Sequence, residues 1–415
     1  MADETSIMIL RNGTLNTISN ATQRASVLLI YFVAARGMDA HSFGVASSLI
    51  VLAITIGSIS SLSLGHTVNR TMSRLRVERL KQKAGIAIAQ ISILTSFATA
   101  FLFFAFSVVL VHFVTGETIS TIDTLFIAVA IAAISIGSCM KGFLWAAMRY
   151  DILLVTSVAS AAALLAGYAI STAVQSALPL LQAYVVMVCT EAVILIGAVV
   201  VPLARGGGGL TLPNWRVIRP IVRFSGLATL NGLVSTPINI LLVSMITASL
   251  GTEVVGRFNF LMQIRNAIVF IPQGFAAVLL TLMSRARRPS KLWLNSMLLG
   301  ALAVSVSLPV GIIAYIWRPH DAINNYIQLL TLTGATGVVI ALNINFGLVF
   351  VALGRLGIGI FANILLSAMI LGFVAIALVS QNGGLATILI GILLAYFLHS
   401  FVQIALIFKY GKTVK

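Results

Sequence analysis

Acidic residues are scarce in this chain. Only 10 of its 415 residues are Asp or Glu, and charged residues of both signs make up 9%. A soluble domain of that length needs roughly a quarter of its residues charged to clothe its surface, so a soluble globular fold is excluded. The two cysteines, Cys139 and Cys189, both fall inside apolar runs, which excludes a disulfide framework and a thiolate metal site. Paired catalytic carboxylates, a metal-ligand cluster and a nucleophile constellation are all lacking, and no cofactor is implied. The opening residues, with Asp3 and Glu4, lack the basic leader and small-residue cleavage site of a secretory signal. A glycine run at Gly206–Gly209 is followed by no Lys-Ser/Thr pair and preceded by no strand, so it is a linker and not a phosphate loop.

What is present is apolar length. Hydrophobic residues are 59% of the chain, and its mean hydropathy is +1.07. Twelve runs are long enough to cross ~30 Å of hydrocarbon as helices. They lie at Leu10–Ala35, Ser42–Leu64, Gly85–Val111, Asp123–Met148, Ile152–Ala173, Leu178–Ala204, Ile221–Leu250, Gly256–Met283, Leu294–Trp317, Tyr326–Leu353, Gly357–Val379 and Gly384–Phe408. The net charge of +16 is confined to short segments between these runs, as in topology determinants and lipid anchors, so nucleic acid is not a partner. One set of alternate connections holds Arg11, the Arg70–Lys83 cluster, Arg149, Arg205–Arg223, Arg285–Lys291, Arg355 and Lys409–Lys415. The opposite set holds only Arg36, Arg257 and Arg318, so both termini are expected in the cytoplasm.

Several runs carry polar stripes. Asn12, Asn16, Asn20 and Arg24 recur at intervals of four along the first run, with Gln23 beside them. In the seventh, Asn231, Ser235 and Asn239 do the same; in the eighth, Asn259, Gln263, Asn266 and Gln273 share a face. Pro237 and Pro272 sit deep in these two runs, where proline kinks a helix and frees carbonyls. Lipid cannot solvate amides, so such stripes face either a wet passage or a neighbouring helix. Arg24 lies about 21 Å along its helix from the basic end. A guanidinium near the bilayer centre costs on the order of 2.5–3.5 kcal/mol without water or a partner, and it grips phosphate in a bidentate fork. Arg24, Asn20, Asn16, Asn231, Asn239, Asn259 and Gln263 are therefore candidate substrate-binding residues. Arg265, about 120° off its helix's amide stripe, is a candidate ranked below Arg24, and Lys141, close enough to its helix end to snorkel to the headgroups, is a further one. Glu191 is the one carboxylate deep inside a run. It is either a carrier of a coupling proton or, paired with an arginine, a fixed charge; its depth differs from that of Lys141 by roughly 10 Å, so those two pair directly only if the lysine reaches upward. His399, alone in the last run, is expected to be a packing residue.

A basic connection, residues 205–220, carrying Pro213 and Trp215, divides the chain into bundles 1–204 and 221–415 of six spans each. The halves echo one another. Span one ends at Gly37-Met38-Asp39 and span two opens with Phe43-Gly44; span seven ends at Gly251-Thr252-Glu253 and span eight opens with Gly256-Arg257-Phe258. Six is even, so the repeat is expected to be parallel, about an axis along the membrane normal. The expected fold is an all-α polytopic membrane protein of about twelve transmembrane helices in two six-helix bundles.

The Gly251-x-Glu253-x-x-Gly256-x-Phe258 pattern resembles the polysaccharide transporter family, the O-antigen and capsule flippases of the multidrug/oligosaccharidyl-lipid/polysaccharide (MOP) flippase superfamily. So do Ile271-Pro272 leading to Met283-Ser284-Arg285, and Asn20, Arg24 and Tyr31 ahead of Gly37-x-Asp39 and Phe43-Gly44. The resemblance implies two six-helix bundles opening alternately to each side of a bacterial inner membrane. It implies undecaprenyl-diphosphate-linked oligosaccharide as cargo, and a polysaccharide polymerase and chain-length regulator as partners. The lipid II flippase branch usually carries two further C-terminal spans, absent here. Two other functions compete. A drug or organic-cation antiporter calls for acidic residues in the passage, and Glu191 alone offers that. A membrane-embedded glycan polymerase or acyltransferase needs catalytic loops longer than these connections. Reporter fusions at Lys83, Arg288 and Lys415 should all register the cytoplasm, and one near Asp321 the opposite side; opposite signals from Lys83 and Lys415 would remove the twelve-span topology.

Overall fold

The computed structural model describes residues 2–61, 64–74, 78–205, 236–286, 292–316, 325–352, 356–380 and 384–411, with a few scattered positions between 206 and 235. Among the described residues there are thirteen α-helices and no strand. They are α1 (Ala2–Gly37), α2 (Ala40–Ser60), α3 (Leu64–Arg74), α4 (Glu78–Thr115), α5 (Thr121–Ala146), α6 (Tyr150–Ala173), α7 (Pro179–Arg205), α8 (Ile238–Leu250), α9 (Thr252–Ala286), α10 (Leu292–Ile316), α11 (Tyr326–Ala352), α12 (Leu356–Val379) and α13 (Leu385–Gly411). Nine of them contain an apolar stretch of membrane-spanning length. The other four are α1 and α9, which carry the polar stripes, and the shorter α3 and α8. Leu94 and Phe101 on α4 are each 72% exposed. Such faces would drive a soluble protein to aggregate, and in a bilayer they face acyl chains.

Two compact units form. The first joins residues 1–44 to 241–415; the second comprises 45–240. This grouping differs from the division at the 205–220 connection, because α1 packs on α9 of the second half. Phe32 meets Phe260 edge to face, with ring centroids 5.1 Å apart. The two glycine motifs also meet there. A Cβ on Gly44 would collide with the backbone carbonyl of Thr252, and one on Gly256 would lie 3.0 Å from the Gly44 Cα. Only glycine allows backbones to come this close. The first motif's Asp39 caps α2, its Oδ1 accepting the Ser42 N–H at 2.8 Å, which holds that carboxyl below the ordinary carboxylate range. At the same end, Arg36 Nη2 donates to the Ile316 carbonyl at 2.9 Å, and the Tyr326 hydroxyl donates to that of Ala314 at 3.2 Å. These bonds occupy carbonyls that the end of α10 leaves open, and the guanidinium suits the helix's negative pole.

In the second unit α5 is central, packed against α3, α4 and α7. The segment after span two, expected to be a basic connection, folds as α3. Leu64, Val68 and Met72, spaced four apart, bury one face of it against Ile88, Met140, Leu144 and Leu195. Its backbone crosses α5 at Gly65 and Gly142, where a Cβ on Gly142 would strike Gly65. The Ser96 hydroxyl donates to that of Ser135 at 2.7 Å across α4 and α5.

The prolines behave differently from one another. Pro237 immediately precedes α8, so the seventh run is broken there, whereas α9 runs on through Pro272. Gly44→Ala should lower the thermal midpoint of detergent-solubilised protein by several degrees, corresponding to an overpacking cost of about 1–3 kcal/mol. Gly372→Ala, whose Cβ would meet nothing within 4 Å, should leave the midpoint unchanged or raised. Equal midpoints for the two variants would count against the Gly44–Gly256 contact.

Candidate functional site

In the first unit the candidate residues come from α1 and α9. Gly44, at the start of α2 and just beyond the end of α1, touches the start of α9, so α1 and α9 run antiparallel. Measured from the Phe32–Phe260 contact, Arg24 lies about 12 Å back along α1 and Arg265 about 7.5 Å forward along α9. Both are on the same side of that contact, so the two guanidiniums differ in level by about 4–5 Å. Asn16 and Asn20 are half-buried on α1, and Arg24 is exposed. The exposed apolar stripe of α1, Ile18, Ala25 and Leu29, lies about 100–140° from Arg24 around the helix. Among the described residues no ion pair or hydrogen bond holds Arg24.

On α9, Asn259 is 2% exposed, while Gln263, Arg265 and Asn266 are half-buried and Gln273 is exposed. Arg265 Nη2 donates to Asn266 Oδ1 at 3.1 Å. That bond ties the guanidinium to a member of the amide stripe from which its helical position had separated it. Asn239 is exposed on α8. Asn231, Ser235 and the side chain of Asn12 lie outside the described residues.

The second unit brings two candidates together. Lys141 Nζ on α5 and Glu191 Oε1 on α7 form an ion pair at 2.5 Å, with side-chain exposures of 26% and 10%. Their helical positions lie roughly 10 Å apart in depth. The lysine's flexible stem closes that gap by turning inward to the carboxylate instead of outward to headgroups. Glu191 thus has a lysine beside it.

A further polar group in the first unit escaped the sequence reading. Asn343 on α11 donates from Nδ2 to the Tyr396 carbonyl at 3.0 Å and accepts the Ser400 hydroxyl at Oδ1 at 2.6 Å, pinning α11 to α13. Its signal was an asparagine inside an apolar run. His399 on α13 is 2% exposed, as expected of a packing residue. Among the described residues no cluster of His, Cys, Asp or Glu could hold a metal ion.

No protein-family model and no curated protein sequence matches the chain. Solved structures do. An inward-facing multidrug resistance MATE family transporter of the MOP superfamily matches with a TM-score of 0.73 and 15% identity, over 99% of both chains. This chain has the MATE fold. The same match pairs a fold of about twelve spans in two six-helix bundles with this sequence. The MATE multidrug transporter DinF-BH, solved as a complex with a small molecule, matches at 0.66 and 14% identity over 97% of this chain and 95% of its own. A MOP superfamily transporter from Pyrococcus furiosus, whose pocket polarity is described as reversed and suggestive of a different function, matches at 0.64 and 15% over 95% and 93%.

On the MATE-like framework, breaking the buried pair should be felt in stability. Lys141→Met strands a carboxylate that is one-tenth exposed, and it should reduce membrane-inserted protein severalfold. The double variant Lys141→Met/Glu191→Leu should recover most of that abundance, as quantified by fluorescence-detected size exclusion, because no uncompensated charge is left.

Proposed function

We propose that this protein moves lipid-linked oligosaccharide, anchored on a polyprenyl diphosphate, across a bacterial inner membrane by alternating access, for surface polysaccharide synthesis. The observation that carries this reading is the pair Arg24 and Arg265, on helices that pack together, in a unit with no carboxylate deep in any apolar run. The acidic residues of segments 1–44 and 241–415 are Asp3, Glu4, Asp39, Glu253 and Asp321, all near run ends. A diphosphate leaving water loses hydration, and fixed guanidiniums offset part of that loss through charge-assisted, bidentate hydrogen bonds. The amides of Asn16, Asn20, Gln263 and Asn266 supply the donors and acceptors that sugar hydroxyls need. The motif resemblance to the polysaccharide transporter family supports the same cargo, and the MATE fold supports transport by alternating access.

The second reading is a MATE-like antiporter of drugs or organic cations, favoured by the multidrug transporters that share the fold. A cationic cargo needs negative charge to receive it, and the one deep carboxylate, Glu191, is already neutralised by Lys141. The Pyrococcus furiosus neighbour supports treating pocket polarity as separable from this fold. The charge balance therefore ranks the anionic cargo first. The distribution of Lys and Arg supports cytoplasmic termini.

Deleting the gene should abolish surface polymer and leave short lipid-linked oligosaccharide on the cytoplasmic leaflet. Arg24→Ala should abolish export at normal abundance of inserted protein, and Arg24→Lys should retain part of it, since charge survives without the planar fork. Full polymer export by Arg24→Ala would overturn this role. Loss of drug resistance alone on deletion would promote the antiporter.

A further inference from the structure

Most of the surface of α4 is uncovered. Only 28% of its apolar stretch is buried inside the protein, and every exposed residue from Leu94 to Val109 is apolar. A wet passage would not leave so many phenylalanines bare, so this length of α4 stands in hydrocarbon. Its bare surface has two sides. Thr99, Leu102, Phe106, Val109 and Leu110 form one stripe, and with Ile56 of α2 they line a groove of about 400 Å³. Phe97, Phe101, Phe104 and Val108 stand roughly 140–200° around the helix from Thr99 and line no part of it. The groove has a local cause. Ser96 of α4 bonds Ser135 of α5 at 2.7 Å, and Gly57 brings α2 so near α5 that a Cβ there would lie 2.9 Å from that of Ile134. Adjacent residues of α5 thus hold α2 and α4 at one level. The groove starts there, since Ile56 precedes Gly57 and Thr99 follows Ser96 by less than a turn.

Length selects the occupant. Thr99 stands at the middle of the apolar run Gly85–Val111 and Leu110 at its end, remote from Arg79, Lys81 and Lys83. Eleven residues of helix rise about 16 Å, which matches the ~15 Å of hydrocarbon in one leaflet. We propose that the groove binds one acyl chain of a phospholipid in the leaflet opposite the basic connections. Its headgroup lies at the level of His112, exposed in the last turn of α4. The chain lies along α4 and against Ile56 as an apolar side chain would, with dispersion contacts on several sides of it. The opposite side of α4 offers a chain contact on one side alone, so the grooved face holds its lipid more tightly. An undecaprenyl tail is several times too long for a groove of one leaflet's depth. The site is the same whichever cargo the carrier moves.

The test reconstitutes the full-length protein into vesicles of phosphatidylethanolamine and phosphatidylglycerol. The probe is a phosphatidylcholine carrying a diazirine midway along one acyl chain, and peptide mass spectrometry locates the label after photolysis. Labelling at Leu102, Phe106 and Val109 should exceed that at Phe97, Phe101 and Phe104 at least fivefold, although both sides are comparably exposed. Thr99→Phe fills the groove, so it should cut labelling at Leu102 and Phe106 at least fivefold and leave Phe101 unchanged. Leu110→Trp, at the groove's other end, should do the same if Thr99→Phe fails to accumulate. Equal labelling of the two sides would mean ordinary surrounding lipid and would overturn the site. Displacement of the label by undecaprenyl phosphate at a lower mole fraction than by unlabelled phospholipid would assign the groove to a polyprenyl tail instead. A wild-type dimer that Thr99→Phe converts to monomer, with no preferential labelling, would assign it to a second copy of the chain. Either assignment would overturn the acyl-chain site.

Discussion

A bilayer core offers no water to a polar group, and the rest of this structure follows from how each such group is answered. Backbone groups are answered inside the helices. Thr and Ser side chains turn back to carbonyls three or four residues earlier, as Thr95, Thr156, Thr333 and Ser305 do. Asn343 binds across to α13. The first bonds satisfy hydroxyls within their own helices, whereas the Asn343 bond is polar glue between two.

Against that background, the charged side chains divide by unit. In the second unit the only deep carboxylate and the only deep ammonium among the described residues cancel one another. In the first, Arg24 and Arg265 have no carboxylate to meet, and Arg265 settles for an amide oxygen. Positive charge in a low-dielectric interior attracts anions more strongly than the same charge at a wet surface. On the proposed function, charge placement, more than fold, is what separates an anionic lipid-linked glycan from an organic cation.

Close backbone approach is the second constraint. Gly44 with Gly256, and Gly65 with Gly142, let helices cross at distances that any Cβ would forbid. Without a hydrophobic driving force between helices in lipid, such contacts supply dispersion energy that bulkier residues cannot. The Gly44 contact joins the two glycine motifs that echo each other in the halves of the chain. Their likeness in sequence thus has a physical counterpart in one contact.

Fold class was legible from the sequence because hydropathy and the scarcity of acids admit a single solution, a polytopic helical bundle. The spacing of Asn16, Asn20 and Arg24, or of Asn259, Gln263 and Asn266, equally marked which helix faces carry polar groups, since helical period is a local property. The short α3 was legible in principle, with Leu64, Val68 and Met72 at intervals of four, but its basic residues marked it as a connection. Tertiary structure alone decided the partners. No spacing places α1 on α9, because which helices pack depends on contacts between residues some 200 positions apart, such as Phe32 and Phe260. Nor could depth alone pair Lys141 with Glu191. A lysine's four-carbon stem can reach headgroup or carboxylate equally well, and only the packing of α5 on α7 put the carboxylate within its reach.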